Sequence, residues 1–93
     1  MSGMAQTISI IVTGKVQGVF YRQSTKDKAN ELNISGIVKN LPDGSVNIIA
    51  SGDTDKLREL LEWCWQGPRR AKVTGVRHEA LAFQLFDAFT IEK

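Results

Sequence analysis

Apolar side chains recur at every second position in two segments of the chain, which is the period of a half-buried β-strand. Residues 7–13 read TISIIVT, and residues 45–51 read SVNIIAS. β-branched residues are frequent in both segments and favour strands, because they pack well on a pleated surface. The apolar faces consist of Ile8, Ile10 and Val12 in the first segment and of Val46, Ile48 and Ala50 in the second. We therefore predict a strand in each segment.

A tight turn precedes the second of these strands and links it to another short strand. Residues 36–40 read GIVKN and are followed by LPDG at positions 41–44. In this turn the proline presets φ, and the glycine tolerates a left-handed backbone. The spacing and the turn chemistry predict that residues 36–40 and 45–51 pair as a hairpin.

Two other segments have the features of α-helices. Residues 22–33, RQSTKDKANELN, contain no proline or glycine, and their least polar positions are Thr25, Ala29 and Leu32. The second segment carries a stripe at i, i+3, i+4 and i+7, formed by Leu57, Leu60, Leu61 and Cys64. Such a stripe is typical of a helix that packs on a core. Asp53 or Thr54 can cap the start of this helix, and Gly67 followed by Pro68 ends it.

The order of the predicted elements indicates the fold. A fourth strand begins near Lys72, and residues 86–92, FDAFTIE, predict a short C-terminal edge strand with Phe89 and Ile91 on one face. The order strand, helix, strand, strand, helix, strand is that of the ferredoxin-like split βαβ sandwich, an α+β fold. Right-handed crossovers then place both helices on one face of an antiparallel sheet. This fold alone decides no function, because it hosts enzymes, RNA-binding modules and regulatory modules.

The length and composition limit what the chain can be. Its 93 residues suffice for one domain, which we expect at residues 7–93 behind a flexible leader at residues 1–6. The net charge of +2 at pH 7 suits an anionic small ligand and falls short of the basic stripe of a nucleic-acid-binding protein. There is no apolar run long enough to span a membrane and no signal segment. We therefore expect a cytoplasmic monomer that binds neither membranes nor nucleic acids.

The chain has one cysteine, Cys64, and one histidine, His78. A single cysteine excludes an intramolecular disulfide and a zinc cluster, and we expect Cys64 to be a buried thiol on the second helix. The acidic residues lack the spacing of a calcium or zinc site. Nothing in the sequence places His78, which we expect to be structural or exposed, beside a nucleophile.

The segment with candidate chemistry is GKVQGVFYR at residues 14–22, directly after the first strand. Gly14 and Gly18 permit positive φ angles and a close approach of the backbone to a ligand. The amide groups of residues 16–21 could turn inward as an anion-binding nest beside the N-terminus of the first helix. Arg22 stands at this junction and could donate two parallel bonds to a phosphoryl or carboxylate group. The residues alone leave open a structural tight turn with a surface arginine.

Two long motifs occur in order along the chain. Residues 12–22, VTGKVQGVFYR, follow a pattern of the form apolar-x-Gly-x-Val-Gln-Gly-Val-x-aromatic-Arg. The second motif joins GIVKN at residues 36–40 to GSV at residues 44–46 and to Gly52. Together with GPRRAKV at residues 67–73, these motifs cover nearly the whole chain, which resembles the acylphosphatases, small metal-independent hydrolases of acyl phosphates.

The resemblance implies roles for individual residues. Arg22 matches the arginine that binds the transferring phosphoryl group, and Asn40 matches the asparagine that orients the attacking water. The implied cradle for the phosphoryl oxygens consists of the backbone amides of Val16, Gln17, Gly18, Val19, Phe20 and Tyr21. The implied substrate is a small acyl phosphate, the products are a carboxylate and inorganic phosphate, and no metal or other cofactor takes part. By topology, the loop after the first strand and the end of the second could converge.

Two positions depart from the family pattern. Tyr21 replaces the usual phenylalanine and adds a hydroxyl group that must reach water or a partner. Ile37 stands where an aromatic residue is customary, and we expect it to affect the packing beneath Asn40 and the fit of the substrate beside it. Neither departure removes a residue with an implied catalytic role.

Two other functions fit parts of the sequence. A binding or regulatory module for phosphate or carbamoyl phosphate would keep the cradle without turnover, but the retention of both Arg22 and Asn40 favours the enzyme. An RNA-recognition module shares the element order and would display aromatic residues on a central strand, whereas residues 45–51 contain none. We interpret the basic residues Arg69, Arg70 and Lys72 as part of a solvated loop.

Overall fold

Five strands and two helices make up residues 4–93, the part of the chain that the computed structural model describes. In chain order they are β1 (Ala5–Lys15), α1 (Tyr21–Glu31), β2 (Ser35–Asn40), β3 (Val46–Asp53), α2 (Thr54–Gln66), β4 (Lys72–Leu81) and β5 (Phe89–Ile91). This order confirms the predicted ferredoxin-like α+β fold. β1 begins at Ala5, two residues earlier than predicted, so the sheet includes part of the segment expected as a leader. Residues 1–3 of that segment lie outside the described residues.

The strands form one sheet in the order β4-β1-β3-β2-β5. β3 pairs antiparallel with both β1 and β2, which confirms the predicted hairpin. The four strands β1 to β4 pair antiparallel, as predicted, whereas β5, for which no direction was predicted, pairs parallel with β2 and makes the sheet mixed. The reason is topological: β4 ends where Leu81 lies opposite Thr7, and the chain stays at this end of the sheet until β5 begins opposite Gly36. β5 therefore runs in the same direction as β2.

The helices and the sheet share one hydrophobic core. The predicted apolar faces of β1 and β3 are buried in it. The buried helix residues are Tyr21, Thr25 and Ala29 of α1 and Leu57, Leu60 and Cys64 of α2. Asp53 caps α2, because its carboxylate accepts a hydrogen bond from the amide of Asp55, as predicted. Within residues 4–93, neither helix is both long and apolar enough to cross a membrane.

The opposite face of the sheet is crossed by residues 82–88, here called the crossing segment, which lead from β4 at one edge to β5 at the other. The amide of Gln84 donates to Thr7 Oγ1 at 2.8 Å, and Ser51 Oγ donates to the Gln84 carbonyl at 2.7 Å. The Thr7 hydroxyl must then supply the hydrogen of its 2.6 Å bond to Ser51. Because these buried groups satisfy one another, the crossing segment is fixed on the sheet and holds β5 beside β2.

The Tyr21 side chain is buried beneath α2. Its hydroxyl donates to the Cys64 carbonyl at 2.8 Å, and its ring centroid lies 5.4 Å from that of Trp63. Burial raises the pKa of the Cys64 thiol to about 12, and burial likewise raises the pKa of the Tyr21 hydroxyl. Both groups are therefore neutral near pH 7, and the expectation of a buried thiol at Cys64 is confirmed.

We expect the free energy of unfolding to fall as the pH rises above about 9. The unfolded chain releases the Cys64 proton near pH 9.0, whereas the folded protein retains it until about pH 12. The unfolded state thus binds fewer protons in this range, and the slope approaches about 1.4 kcal/mol per pH unit for one such group. Urea denaturation at a series of pH values from about 8 to 10.5 measures this slope.

The Cys64→Ala variant separates this effect from general alkaline destabilisation. It should be less stable at every pH, because it leaves a cavity in the core. Its stability should nevertheless fall less steeply above about pH 9, since the titrating thiol is gone. Equal slopes in the two proteins would contradict the role of Cys64.

Candidate active site

The register of the central strands places the end of β2 at the same end of the sheet as the end of β1, with β3 between them. Val12 of β1 lies opposite Val46 of β3, which lies opposite Asn40 of β2. Since side chains alternate along a strand, Asn40 shares the helix-facing side with Val38, a core residue. Within residues 4–93, its Oδ1 is the buried side-chain polar atom that lacks a hydrogen-bond partner. Such an acceptor costs stability and marks a position suited to a donor from water or a ligand.

The loop between β1 and α1 presents amide groups that the fold does not use. Among the described residues, no backbone acceptor receives a hydrogen bond from the amides of residues 17–20. Gly18 and Phe20 both have left-handed backbones, with φ angles of 74° and 64°. Phe20 is the N-cap of α1 and makes no side-chain cap bond. Unused amides in such a loop, directly before a helix N-terminus, are typical of an anion site.

The two glycines of this loop region have different roles. The β1–β4 register shifts between Thr13 and Gly14, and a Cβ atom on Gly14 would lie 2.1 Å from the Lys72 carbonyl oxygen. Gly14 is therefore needed for the close approach of β4. A Cβ atom on Gly18 would meet nothing within 4 Å, so Gly18 is needed only for its positive φ angle.

Arg22 lies half-buried in the first turn of α1. Its Nη1 donates to the Glu92 carbonyl oxygen at 2.9 Å, just beyond β5. None of the ion pairs among residues 4–93 includes Arg22. The guanidinium is therefore oriented by a neutral carbonyl while its charge is not neutralised by a carboxylate, and the rest of its fork is suited to an anion.

The Gln17 side chain ties the loop to the turn after β2. Its Nε2 donates to the carbonyl oxygens of Leu41 and Ser45, both at 2.8 Å. Leu41 directly follows Asn40, so these two bonds hold the loop against the strand end that carries Asn40. The sequence predicted a role only for the backbone amide of Gln17. The position of Gln17 within the motif is the one sequence feature that could have suggested a role for its side chain.

One cavity of about 640 Å³ contains most of the predicted site. Its walls include the predicted residues Val16, Gly18, Phe20, Tyr21, Arg22 and Asn40. Two predicted residues do not line it, because Val19 is buried in the core and the Gln17 side chain points to the turn. Gln23, Ile91 and Lys93 complete the walls and were not predicted. Ile91 and Lys93 reach the cavity only because β5 pairs with β2.

Comparisons with known proteins identify the family of this chain. The sequence model of the family described as Acylphosphatase matches residues 8–91. An acylphosphatase of Marinobacter nauticus is 52% identical over 81 residues, which make up 86% of this chain and 88% of that protein. The chain belongs to the acylphosphatase family. Membership establishes the class of enzyme, and the geometry supplies its candidate residues.

Solved acylphosphatase structures share the fold. The structure of the Coxiella burnetii acylphosphatase matches with a TM-score of 0.92 and 41% identity, and the match covers 95% of this chain and 93% of that one. The crystal structure of the Bacillus subtilis acylphosphatase matches with a TM-score of 0.92 and 32% identity, covering 97% of this chain and 100% of that one. The resemblance deduced from the motifs is thereby confirmed over nearly the whole chain.

The two departures from the acylphosphatase pattern have different consequences. The Tyr21 hydroxyl has a buried partner in the Cys64 carbonyl, so the core accommodates it. Ile37 lies opposite Ile49, on the face of the sheet away from the helices. The expectation that Ile37 affects the packing beneath Asn40 is therefore wrong, because strand residues three positions apart face opposite sides.

The other chemically active side chains lie away from this cavity. His78 is exposed on β4, opposite Ile10 of β1, and is not among the cavity walls. Within residues 4–93, no group of three or more His, Cys, Asp or Glu side chains could hold a metal ion. The positively charged side chains among the cavity walls are those of Arg22 and Lys93, and the unused loop amides add partial positive charge.

We expect Gln17→Met to lower kcat/KM for benzoyl phosphate by about 10- to 100-fold. The thioether keeps the length of the side chain but donates no hydrogen bond, so the loop is released from the turn, and small displacements of a site cost this much. Gln66→Met, at the exposed end of α2, is the matched control. Full activity in a folded Gln17→Met protein would show that the tie is not required.

Proposed function

We propose that this acylphosphatase hydrolyses the carboxyl–phosphate bond of small acyl phosphates by direct attack of water, with Arg22 and Asn40 as its catalytic residues. One observation carries the proposal: Asn40, with its buried and unpartnered Oδ1, lines the same cavity as Arg22 and the loop. A site that only binds phosphate needs donors, because phosphoryl oxygens are acceptors. An additional acceptor is suited to a ligand that donates, and water is that ligand. This argument favours hydrolysis over a purely binding module.

In this proposal, Arg22 and the amides of residues 16–21 hold the phosphoryl group. Phosphoryl transfer spreads negative charge over the equatorial oxygens, so fixed donors and positive charge supply most of the catalysis. The bond from Arg22 to the Glu92 carbonyl supports this role, since it orients the guanidinium before substrate arrives. No metal or other cofactor is required, because the arginine already carries the charge.

Asn40 would accept a hydrogen bond from the attacking water. This bond would orient the water so that a lone pair of the water oxygen points toward phosphorus. A bond forms between the water oxygen and phosphorus, and the bond from phosphorus to the acyl oxygen breaks. The acyl group leaves as a carboxylate, which needs no acid to protonate it. The phosphate product keeps both hydrogens of the water, so no general base has to store a proton.

The remaining expectations belong to the same proposal. We infer that residues 7–93 act as one domain, which is supported by their single core. We also propose a cytoplasmic monomer that does not bind nucleic acid. The modest net charge of +2 and the lack of aromatic residues on β3 support the last point.

Asn40→Ala should lower kcat by about 100- to 1,000-fold, because one preorganised group of the transition state is lost. Binding of inorganic phosphate should persist, since Arg22 and the loop amides remain. The thermal midpoint should be no lower than that of the wild type, because an unpartnered buried acceptor is removed. Benzoyl phosphate hydrolysis, phosphate calorimetry and thermal unfolding measure the three quantities.

Asn30→Ala, at an exposed position of α1, is the matched control for this substitution. Full activity in Asn40→Ala would contradict the water-positioning role. If the wild type binds phosphate and hydrolyses no acyl phosphate, a binding module is the better description.

Arg22→Ala should lower kcat/KM by at least about 100- to 1,000-fold and also weaken phosphate binding, because both depend on its charge. Arg22→Lys should recover only part of the activity, since an ammonium group lacks the planar fork that reaches the Glu92 carbonyl and a phosphoryl group together. Arg77→Ala, exposed on β4, is the control, and a chelator should leave the wild-type rate unchanged. Unaltered phosphate affinity in Arg22→Ala would rule out the proposed contact.

A further inference from the structure

Phe20 is an aromatic residue that folding does not explain. The residue is 77% exposed to solvent. Its backbone is left-handed, with φ 64° and ψ 24°, a conformation that costs energy for a residue with a Cβ atom and that glycine adopts freely. Both the exposure and the backbone disfavour phenylalanine here, so the ring is best explained by a contact outside the folded chain.

The ring belongs to the wall of the cavity that also contains Arg22 and Asn40. The cavity volume of about 640 Å³ exceeds that of one phosphoryl group, so space remains for the rest of the substrate. Val16, another apolar residue of the wall, is buried, and Ile91 is half-buried. Phe20 is therefore the apolar wall residue that is most open to a ligand.

The direction of the reaction indicates which part of the substrate meets Phe20. The attacking water and the leaving acyl oxygen lie roughly in line, on opposite sides of phosphorus. Asn40 has its Oδ1 buried beside the core, so a water that it holds attacks from the inner side. The acyl group then departs toward the solvent-facing side of the cavity, and Phe20 is the most exposed apolar residue of its wall.

We propose that the Phe20 ring binds the acyl group and makes the enzyme selective for acyl phosphates with flat, apolar acyl groups, above all aromatic ones. An aromatic acyl group can stack on the ring or meet it edge to face, whereas an acetyl group covers little of it. This inference rests on the proposed function, because it takes the positions of water and phosphoryl group from that mechanism.

The test compares kcat/KM for benzoyl phosphate with kcat/KM for acetyl phosphate in the wild type and in Phe20→Gly. Loss of the ring should lower the benzoyl-to-acetyl ratio by about 3- to 10-fold, the range expected for one aromatic contact. The ratio is the readout because the backbone amide of residue 20 belongs to the phosphoryl cradle, and a change in the cradle affects both substrates. Phe20→Tyr keeps the ring and should keep the ratio.

Phe83→Ala is the matched control, because Phe83 is 55% exposed in the crossing segment and does not line the cavity. It should leave the ratio at the wild-type value. Phe20→Gly also relieves the left-handed strain, so its thermal midpoint should not fall, and a changed ratio then cannot be attributed to unfolding.

The outcomes separate this inference from the proposed function. An unchanged or increased ratio in folded Phe20→Gly would overturn the acyl contact and leave hydrolysis by the wild type intact. A wild type that hydrolyses neither substrate would overturn the proposed function and this inference with it. A lowered ratio in Phe20→Gly, with normal ratios in Phe20→Tyr and Phe83→Ala, supports the contact.

Discussion

The pairing of β3 with both β1 and β2 is the constraint on which the site depends. It places Val12, Val46 and Asn40 in one row, so that the loop after β1 and the end of β2 meet. A slip of one residue in the β2–β3 ladder would carry the Asn40 side chain to the other face of the sheet. Such a slip would also move Val38 out of the core. The proposed water site at Asn40 is thus held in register by the burial of apolar side chains elsewhere in the sheet.

Two unfavourable features lie in this one cavity. The Oδ1 of Asn40 is buried without a partner, and Phe20 combines a left-handed backbone with an exposed ring. Elsewhere the fold satisfies comparable groups, since the Tyr21 hydroxyl meets a carbonyl and Thr7 and Ser51 close a network with the crossing segment. Features that cost stability persist at functional sites because selection there acts on activity. Their coincidence in one place supports a catalytic cavity.

Most of the fold could be predicted because the periods of strands and helices are local properties of the sequence. Arg22 and Asn40 could be named as candidate residues through the family resemblance that the motifs carry, although their place around one cavity depends on the register of β3. The parallel direction of β5 could not be predicted, since it follows from the path of the crossing segment over the sheet. The side-chain role of Gln17 depends on a turn that lies 24 residues away in the chain, and no local pattern reports such a contact.

The hydrogen bond from Arg22 to the Glu92 carbonyl joins residues that are 70 positions apart. Synthesis on the ribosome runs from the N-terminus, so the arginine and Asn40 emerge long before the strand that orients the guanidinium. In a growing chain, the guanidinium of the proposed phosphoryl site therefore lacks this orienting bond until the crossing segment and β5 have docked. Contacts of such high sequence separation form late, because loop closure must precede them. Docking of β5 is therefore needed before Arg22 is oriented, and full activity is expected only in chains that have folded completely.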